Sequence, residues 1–304
     1  MVTASTVMTT LTPIMQSSRH LSEFLLDGRI HVVCIFAKAH KRLPLIELVV
    51  LPVVPYKQLV HLMSDLYIDL KDKNFTIAMP NHSMQIPMYT ALSLVDSLRF
   101  LDQRNVDINY TVELQNSIVD SARNNLVHRF LQEPSHQTLI FIDSDMMWTP
   151  EGLLRLCCWS TLYPIVAGMY STKNAKDPKF LGDYWKDPEI NQVMGNEHGL
   201  IKMTGIGLGF CAIKRSVFEV MKESTTTYTD PMYEEPVHRF FDTRDPETGA
   251  FVGEDIYFLR RWTKEFGGEL WIDPEIQLGH IGQYIYRGDV ATAITAFNKK
   301  LLEG

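Results

Sequence analysis

An apolar segment that ends in two carboxylates constrains the fold of this 304-residue chain more than any other feature. Residues 138–142 read Thr-Leu-Ile-Phe-Ile, with four β-branched or aromatic side chains and no polar alternation. This pattern is typical of a strand buried on both faces of a parallel sheet. Asp143, Ser144 and Asp145 follow at once, so both carboxylates stand at the carboxyl end of a predicted central strand. Open α/β sheets bind ligands at that edge.

Two interpretations fit Asp143-Ser144-Asp145. Carboxylate oxygens are hard ligands, and a pair of them suits Mg²⁺ or Mn²⁺ in sites that share the ion with substrate phosphates. Asp and Ser are also favoured in turns, so the same residues fit an ordinary turn at the end of a strand. The tripeptide alone does not decide between them.

The composition narrows the class of protein. Hydrophobic residues make up 45% of the chain and charged residues 21%, as in soluble globular proteins. The net charge of −7 does not favour a broad nucleic-acid surface, and the cysteines show no metal-binding spacing. Residues 1–15 lack the features of a signal peptide, and prolines and charges interrupt the most apolar stretch, residues 43–60. We therefore expect a cytoplasmic protein without a transmembrane segment, with peripheral membrane attachment left open.

Strands and helices are predicted to alternate along most of the chain, which indicates an α/β fold with a mostly parallel sheet flanked by helices. The predicted strands of the main domain cover residues 74–80, 107–114, 138–142 and 164–170, and the helix after the third strand covers 150–159. Residues 1–72 contain strand-like runs at 30–36 and 46–54 and a helix-like run at 56–66, but no recognisable chemistry. We treat them as an N-terminal extension or small subdomain, followed by a domain of residues 73–304.

Apolar residues at helical spacing predict the first two helices of that domain. The first stripe consists of Met88, Ala91, Val95 and Leu98, and the second of Val119, Ala122, Leu126 and Phe130. Asp120, Arg123 and Asn124 lie on another face of the second helix. Arg123 therefore either faces a cleft or is solvated or paired with Asp120.

Three later segments carry possible functional signals. Residues 180–198 and 223–250 are rich in turn-forming and polar residues, which is typical of functional or mobile loops. The alternating glycines Gly205, Gly207 and Gly209 do not have the dinucleotide-binding spacing. We interpret them as positions where a ligand or another backbone approaches closely.

Two acids and a histidine near the end of the chain complete the candidate site. Glu254 and Asp255 open a predicted helix, where acids are also explained by the helix dipole, worth about 0.3–1 kcal/mol. His280 lies between Gly279 and Gly282. A lone histidine is usually an ordinary polar residue, but glycine neighbours give it access to a shared site, and imidazole ligates Mn²⁺.

Taken in order, these segments resemble the metal-dependent GT-A glycosyltransferases, in particular family-2-like members of bacterial and viral type. The resemblance spans residues 74–288 and rests on Met79-Pro80, Ala122-Arg123-Asn124, Asp143-Ser144-Asp145, the glycines of 205–209, Glu254-Asp255 and His280. It implies a GT-A (nucleotide-diphospho-sugar transferase) fold. The N-terminal portion has no counterpart in the family pattern.

The resemblance also implies partners and roles. The donor would be a nucleoside-diphosphate sugar, with a UDP-sugar as the default, and the acceptor a glycan, protein or lipid rather than a nucleic acid. The residues that would bind the donor are Met79, Pro80, Asn81, Arg123, Asp143, Ser144 and Gly207. Mn²⁺ or Mg²⁺ would be held by Asp143, Asp145 and His280. Glu254 would contact the acceptor, and Asp255 would act as the catalytic base of an inverting enzyme. Trp185, an aromatic residue of the loop 180–198, is a further candidate for the acceptor site, where it would stack on a sugar; packing within the loop explains it equally well.

Two other functions compete with sugar transfer. A nucleotidyltransferase also uses paired Asp residues and a metal, but it should carry a Gly- and Lys/Arg-rich signature early in the fold, and residues 78–87 lack one. The other alternative is a non-catalytic glycan-binding or structural protein on a degenerate transferase fold. The joint presence of Asp143, Asp145, Asp255 and His280 argues against such decay.

Overall fold

The computed structural model describes residues 21–26, 29–35, 67–174, 179–180, 182–245 and 248–303. The chain divides into two compact units, residues 1–71 and 72–304. In the first unit, the described strands β1 (Leu21–Leu26), β2 (Arg29–Ile35) and β3 (Tyr67–Asp69) form an antiparallel sheet in that order. The predicted strand at 46–54 and the predicted helix at 56–66 lie outside the described residues.

The second unit combines strands and helices. Its described strands are β4 (Asn74–Asn81), β5 (Asp107–Leu114), β6 (Thr138–Ile142), β7 (Met146–Met147), β8 (Ile165–Ala167), β9 (Gly182–Tyr184), β10 (Ile201–Ile206), β11 (Phe210–Lys214), β12 (Thr227–Tyr228), β13 (Val237–His238), β14 (Leu270–Ile272), β15 (Gly279–Ile281) and β16 (Ile285–Tyr286). Its described helices are α1 (Met88–Asp102), α2 (Val119–Gln132), α3 (Pro150–Leu162), α4 (Arg215–Lys222), α5 (Glu254–Arg260), which continues into a π-helical turn (Arg261–Glu265), and α6 (Val290–Glu303). Among these helices, none is both long and apolar enough to cross a membrane.

The central sheet contains eight described strands in the order β5-β4-β6-β11-β8-β14-β10-β9. Strands β5, β4 and β6 are parallel to one another, and β8 is parallel to β14. Strand β11 is antiparallel to both of its neighbours, and so is β10. Six strands therefore share one direction, which confirms an α/β fold with a mostly parallel sheet. The two reversed strands come from residues 201–214, whose separation into two strands the sequence pattern did not predict.

Strand β6 is a fully buried inner strand of the central sheet. All five of its residues are buried, and it pairs with β4 on one side and β11 on the other. Helix α2 packs against β4 and β5, and α3 packs against β8 and β11. The continuous apolar run of residues 138–142 reflects this position, because neither face of the strand meets water.

Helix α1 buries a different face from the one predicted. Met88 is 71% exposed and Val95 is 43% exposed. The buried face instead carries Ser93 and Ser97. The Ser93 hydroxyl donates a 2.9 Å hydrogen bond to the Trp148 carbonyl, and the Trp148 indole N–H donates a 2.9 Å bond to Ser97 Oγ. The apolar residues did not mark the buried face of α1, because the Ser93 and Ser97 hydroxyls form hydrogen bonds with Trp148, which is distant in sequence.

Helix α2 agrees with its predicted stripe except at the first turn. Ala122, Leu126 and Phe130 are buried, with at most 1% of their surface exposed. Val119, at the helix start, is 40% exposed and lines a cleft.

The segment 223–250 is anchored on α2 rather than free to close as a whole. Phe240 and Phe241 in its middle are fully buried in the hydrophobic core. The Asn124 side chain donates a 2.9 Å hydrogen bond to the Phe241 carbonyl and accepts a 2.9 Å bond from the Phe241 N–H. This two-way pairing fixes the segment beside the residues that α2 contributes to the cleft.

Candidate functional site

A cleft of about 310 Å³ opens where the parallel strands β4, β5 and β6 reach their carboxyl ends. Eight residues predicted from the sequence line it: Pro80, Asn81, Arg123, Asp143, Ser144, Asp145, Glu254 and Asp255. They come from the end of β4, from α2, from the turn after β6 and from the start of α5. The edge of the sheet that was expected to bind ligands thus gathers most of the polar residues singled out in the sequence.

Arg123 occupies the centre of this group. Its Nη2 lies 2.9 Å from Asp143 Oδ1, and its Nε lies 3.1 Å from Glu254 Oε1. Only 3% of the residue is exposed. Burial disfavours the charged guanidinium, but the charges of Asp143 and Glu254 outweigh burial and raise the pKa of Arg123 above its usual value. The alternatives of a solvated Arg123 or a pair with Asp120 are therefore wrong.

One donor of Arg123 is left without a hydrogen-bond partner. Its Nη1 is buried and unpaired within the described part of the chain. An unpaired donor on a buried cation is costly, and an anionic ligand in the cleft would give it a partner. Carboxylate and phosphate groups are the usual partners of a guanidinium.

Asp145, His280 and Lys173 form a second group of contacts. His280 Nε2 lies 3.7 Å from Asp145 Oδ1, and Lys173 Nζ donates a hydrogen bond to Asp145 Oδ2. Burial opposes ionisation of Asp145, but the interactions with His280 and Lys173 outweigh it and lower its pKa to about 2. Asp145 is therefore an anion throughout the neutral range.

A backbone carbonyl orients the His280 ring. His280 Nδ1 lies 2.9 Å from the Ser171 carbonyl oxygen, and a carbonyl only accepts, so Nδ1 carries a proton. Nε2 is the ring nitrogen that faces Asp145. Metal-binding histidines are oriented in the same way when a carbonyl holds their other ring nitrogen.

The donor set would suit a divalent cation with two protein ligands. Within the described ranges, no three His, Cys, Asp or Glu side chains are close enough together to hold an ion by themselves, and Asp143 is turned toward Arg123. Asp145 and His280 remain. Two ligands about 2.1 Å from one ion lie about 3.0–3.6 Å apart, similar to the 3.7 Å observed. Sites of this kind complete their coordination with water and substrate phosphates.

Asp255 is a carboxylate of raised pKa in the same cleft. Burial, followed by the charge of Glu254, raises its pKa from 3.8 to about 6, although the Ile256 N–H donates a 2.7 Å hydrogen bond to Asp255 Oδ1. A carboxylate with this pKa can accept a proton from a reacting hydroxyl near neutral pH.

Tyr170 explains two glycines of the 205–209 segment, Gly207 and Gly209. A Cβ atom on Gly209 would lie 2.8 Å from both Asp143 Oδ2 and the Tyr170 hydroxyl, and a Cβ on Gly207 would collide with the same hydroxyl. The Gly209 N–H donates a 3.2 Å hydrogen bond to Tyr170. Close approach is therefore the reason for the glycines, but the approaching atoms belong to side chains rather than to a ligand or another backbone. Burial, then the charge of Asp143, raises the pKa of Tyr170, so the phenol stays neutral.

Some predicted residues lie apart from the cleft. The Met79 side chain is buried and does not line it. The Trp185 ring lies 5.4 Å from Lys202 Nζ and is also absent from the lining. Sequence reasoning in turn missed Tyr170 and Lys173. The available signal was the polar run 171–174 directly after a buried strand, the same pattern that drew attention to Asp143.

No family model matches the sequence, and no curated protein is similar to it. Solved structures with some likeness include A197 from STIV, with 20% identity, a TM-score of 0.43 and coverage of 69% of this chain and 86% of that chain. Another is a glycosyltransferase involved in the glycosylation of the major capsid of PBCV-1, with 14% identity, a TM-score of 0.28 and coverage of 49% and 64%. A third is the inositol-1-phosphate CTP transferase from T. maritima, with 12% identity, a TM-score of 0.37 and coverage of 77% and 96%. Likenesses at such identities and TM-scores assign no function to this chain.

Proposed function

We propose that this chain transfers a sugar from a nucleoside-diphosphate donor to an acceptor hydroxyl, with inversion at the anomeric carbon and with the help of Mn²⁺ or Mg²⁺. A UDP-sugar is the first donor to test, and the acceptor is a glycan, protein or lipid. The observation that carries the proposal is that buried Arg123 pairs with the partly buried Asp143 and Glu254 in one cleft with Asp255, a carboxylate of raised pKa.

The donor side of the cleft suits a nucleoside diphosphate. Pro80 and Asn81 at the end of β4 line the cleft and would contact the nucleoside. The unpaired Nη1 of Arg123 would donate to the diphosphate. As the bond between the sugar and the diphosphate breaks, its electron pair and the growing negative charge go to the leaving phosphate oxygen, where a fixed guanidinium is most useful.

The acceptor side needs a base. The acceptor oxygen forms the new bond to the anomeric carbon while its proton passes to a carboxylate. Asp255 suits this role because its raised pKa makes it a stronger base than an ordinary Asp. General base catalysis contributes about 10²–10⁴-fold. Glu254, which is held by Arg123, would position the acceptor.

Asp145 and His280 would hold the divalent cation. When bound, that cation supplies Lewis-acid stabilisation of the charge on the leaving diphosphate. The chain's own contribution is orientation: the Ser171 carbonyl orients the His280 ring, and the turn after β6 presents Asp145.

The test is the melting temperature of the full chain with a panel of nucleoside diphosphates, each with and without Mn²⁺. We expect one nucleotide to stabilise the protein only with metal. Saturation at about 100 times the dissociation constant adds about 2.7 kcal/mol, or several degrees. Asp145→Asn should lose the metal-dependent part of the shift, whereas Asp96→Asn, an exposed carboxylate on α1, should keep it.

The outcomes separate the alternatives. A flat panel with wild type contradicts the donor site. A clear nucleotide shift without turnover of any matching sugar donor favours the non-catalytic protein. Turnover that survives intact in Asp255→Asn refutes the assignment of the base.

A further inference from the structure

The ammonium of Lys173 is hydrogen-bonded to Asp145, the carboxylate that the proposed metal ion would need. Its Nζ donates a hydrogen bond to Asp145 Oδ2, while Asp145 Oδ1 faces His280. The side chains of Lys173 and Asp145 are 37% and 34% exposed, so both are accessible to ions and ligands. The proposed function gives this lysine no role.

Two contacts with residues 179–180 hold the backbone just before Lys173. Ser171 forms an antiparallel bridge with Phe180, and the Thr172 N–H donates a 2.8 Å hydrogen bond to the Lys179 carbonyl. The carbonyl of Ser171 is the group that orients His280. One short segment therefore sets both the imidazole and the ammonium that face Asp145.

Gly282 makes room for the lysine side chain. A Cβ atom at this position would lie 3.2 Å from Lys173 Cδ and 3.7 Å from Cγ, so the aliphatic stem rests against the glycine backbone. This places the stem beside the end of β15, which carries His280. The position of the ammonium thus follows from packing of its stem as well as from its charge.

We propose that Lys173 competes with the divalent cation for Asp145, so that metal binds weakly to the free protein and tightly together with the nucleotide. This inference rests on the proposed function. A divalent ion on Asp145 would be repelled by an ammonium on the same carboxylate. The oxygens of a bound diphosphate offer that ammonium another partner. Metal and nucleotide then favour each other's binding, and by linkage the coupling is the same in both directions.

The test measures Mn²⁺ binding to the full chain by the electron paramagnetic resonance signal of free Mn²⁺, without nucleotide and with saturating nucleoside diphosphate. Lys173→Met keeps the stem but removes the charge. Without nucleotide, we expect it to bind Mn²⁺ about tenfold more tightly than wild type, a cautious figure for removing a charge next to a divalent ion at a partly exposed site. The gain in Mn²⁺ affinity on adding nucleotide should shrink by a similar factor.

Two controls separate charge from structure. Lys173→Arg keeps the positive charge and should bind Mn²⁺ as wild type does. Lys264→Met removes an exposed lysine of the π-helical turn, which lines no part of the cleft, and should also match wild type. Melting temperatures of all variants establish that each is folded.

The result that overturns the inference is Mn²⁺ affinity that is equal or weaker in Lys173→Met than in wild type. That outcome leaves the proposed function intact. If neither protein binds Mn²⁺, even with every nucleotide of the panel, the metal centre of the proposed function falls and the competition falls with it.

Discussion

Replacing Asp255 with Asn should stabilise the protein while removing its proposed activity. Burial and the charge of Glu254 raise the pKa of Asp255 from 3.8 to about 6. The folded state therefore binds this proton more tightly than the unfolded state does. Below pH 3.8, Asp255 hardly affects the free energy of unfolding. That free energy falls as the pH rises from 3.8 to about 6, and above pH 6 the full cost of the buried charge applies. At 1.36 kcal/mol for each pKa unit, the cost above pH 6 is about 3 kcal/mol.

The Asp255→Asn side chain would avoid that cost because it carries no charge. Its amide oxygen can still accept the hydrogen bond that the Ile256 N–H donates to Asp255. At pH 8, Asp255→Asn should therefore unfold at a melting temperature several degrees above that of wild type, since 1 kcal/mol corresponds to about 2–4 °C for a domain of this size. At pH 4, the two melting temperatures should differ by only about 1–2 °C, because Asp255 is then protonated in the folded state and in roughly 40% of the unfolded molecules, which leaves about 0.5 kcal/mol of the cost.

The assay is thermal or urea unfolding of wild type and Asp255→Asn from pH 4 to pH 8, with chelator present so that no metal contributes. Asp96→Asn, on the exposed face of α1, provides the matched control and should follow wild type at every pH. Parallel stability curves for wild type and Asp255→Asn, or a less stable variant at pH 8, would refute the reasoning. The same raised pKa predicts that turnover rises as pH passes through about 6.

Two further substitutions test the frame around Arg123. Arg123→Met leaves two partly buried carboxylates without their cation. It should lower the free energy of unfolding by about 3–5 kcal/mol in urea titrations at pH 7. A variant as stable as wild type would mean that Arg123 does not compensate the charges of these carboxylates. Gly209→Ala places a methyl group against Asp143 and Tyr170 and should cost about 1–3 kcal/mol and weaken nucleotide binding. Gly152→Ala in α3 is the control, because its new Cβ would meet only ordinary contacts, at 3.4 Å or more. If Gly209→Ala is as stable as wild type and binds nucleotide as well, a methyl group at Gly209 does not crowd Asp143 and Tyr170.

Local patterns predicted the elements that are buried on both sides. The run 138–142 became β6 because a strand between two others, covered by helices, has only apolar neighbours. The position of Asp143 and Asp145 at the end of β6 was predictable for the same reason, since the chain must turn where the strand leaves the core.

Contacts between distant segments were beyond these patterns. The buried face of α1 is polar because Ser93 and Ser97 bond to Trp148, more than fifty residues away in sequence. Lys173 lies in a polar run after a buried strand, but nothing in that run indicates its contact with Asp145, which stands 28 residues earlier in the sequence. The sequence does contain a signal for the anchoring of residues 223–250, because Phe240 and Phe241 are consecutive in an otherwise polar stretch and both are buried. Without helical or strand periodicity around them, these two residues did not predict a buried segment.

Helix α2 sends three consecutive side chains to three different parts of the fold. Arg123 reaches Asp143 and Glu254, Asn124 clamps Phe241, and Asn125 donates to Glu113 at 3.0 Å and to Asp230 at 3.2 Å. Because each residue of a helix is turned by about 100° from the last, a one-residue insertion or deletion before Arg123 would misdirect all three together. Variation in this helix should therefore take the form of substitutions at its exposed positions, with its length held constant, while length changes collect in the surface loops.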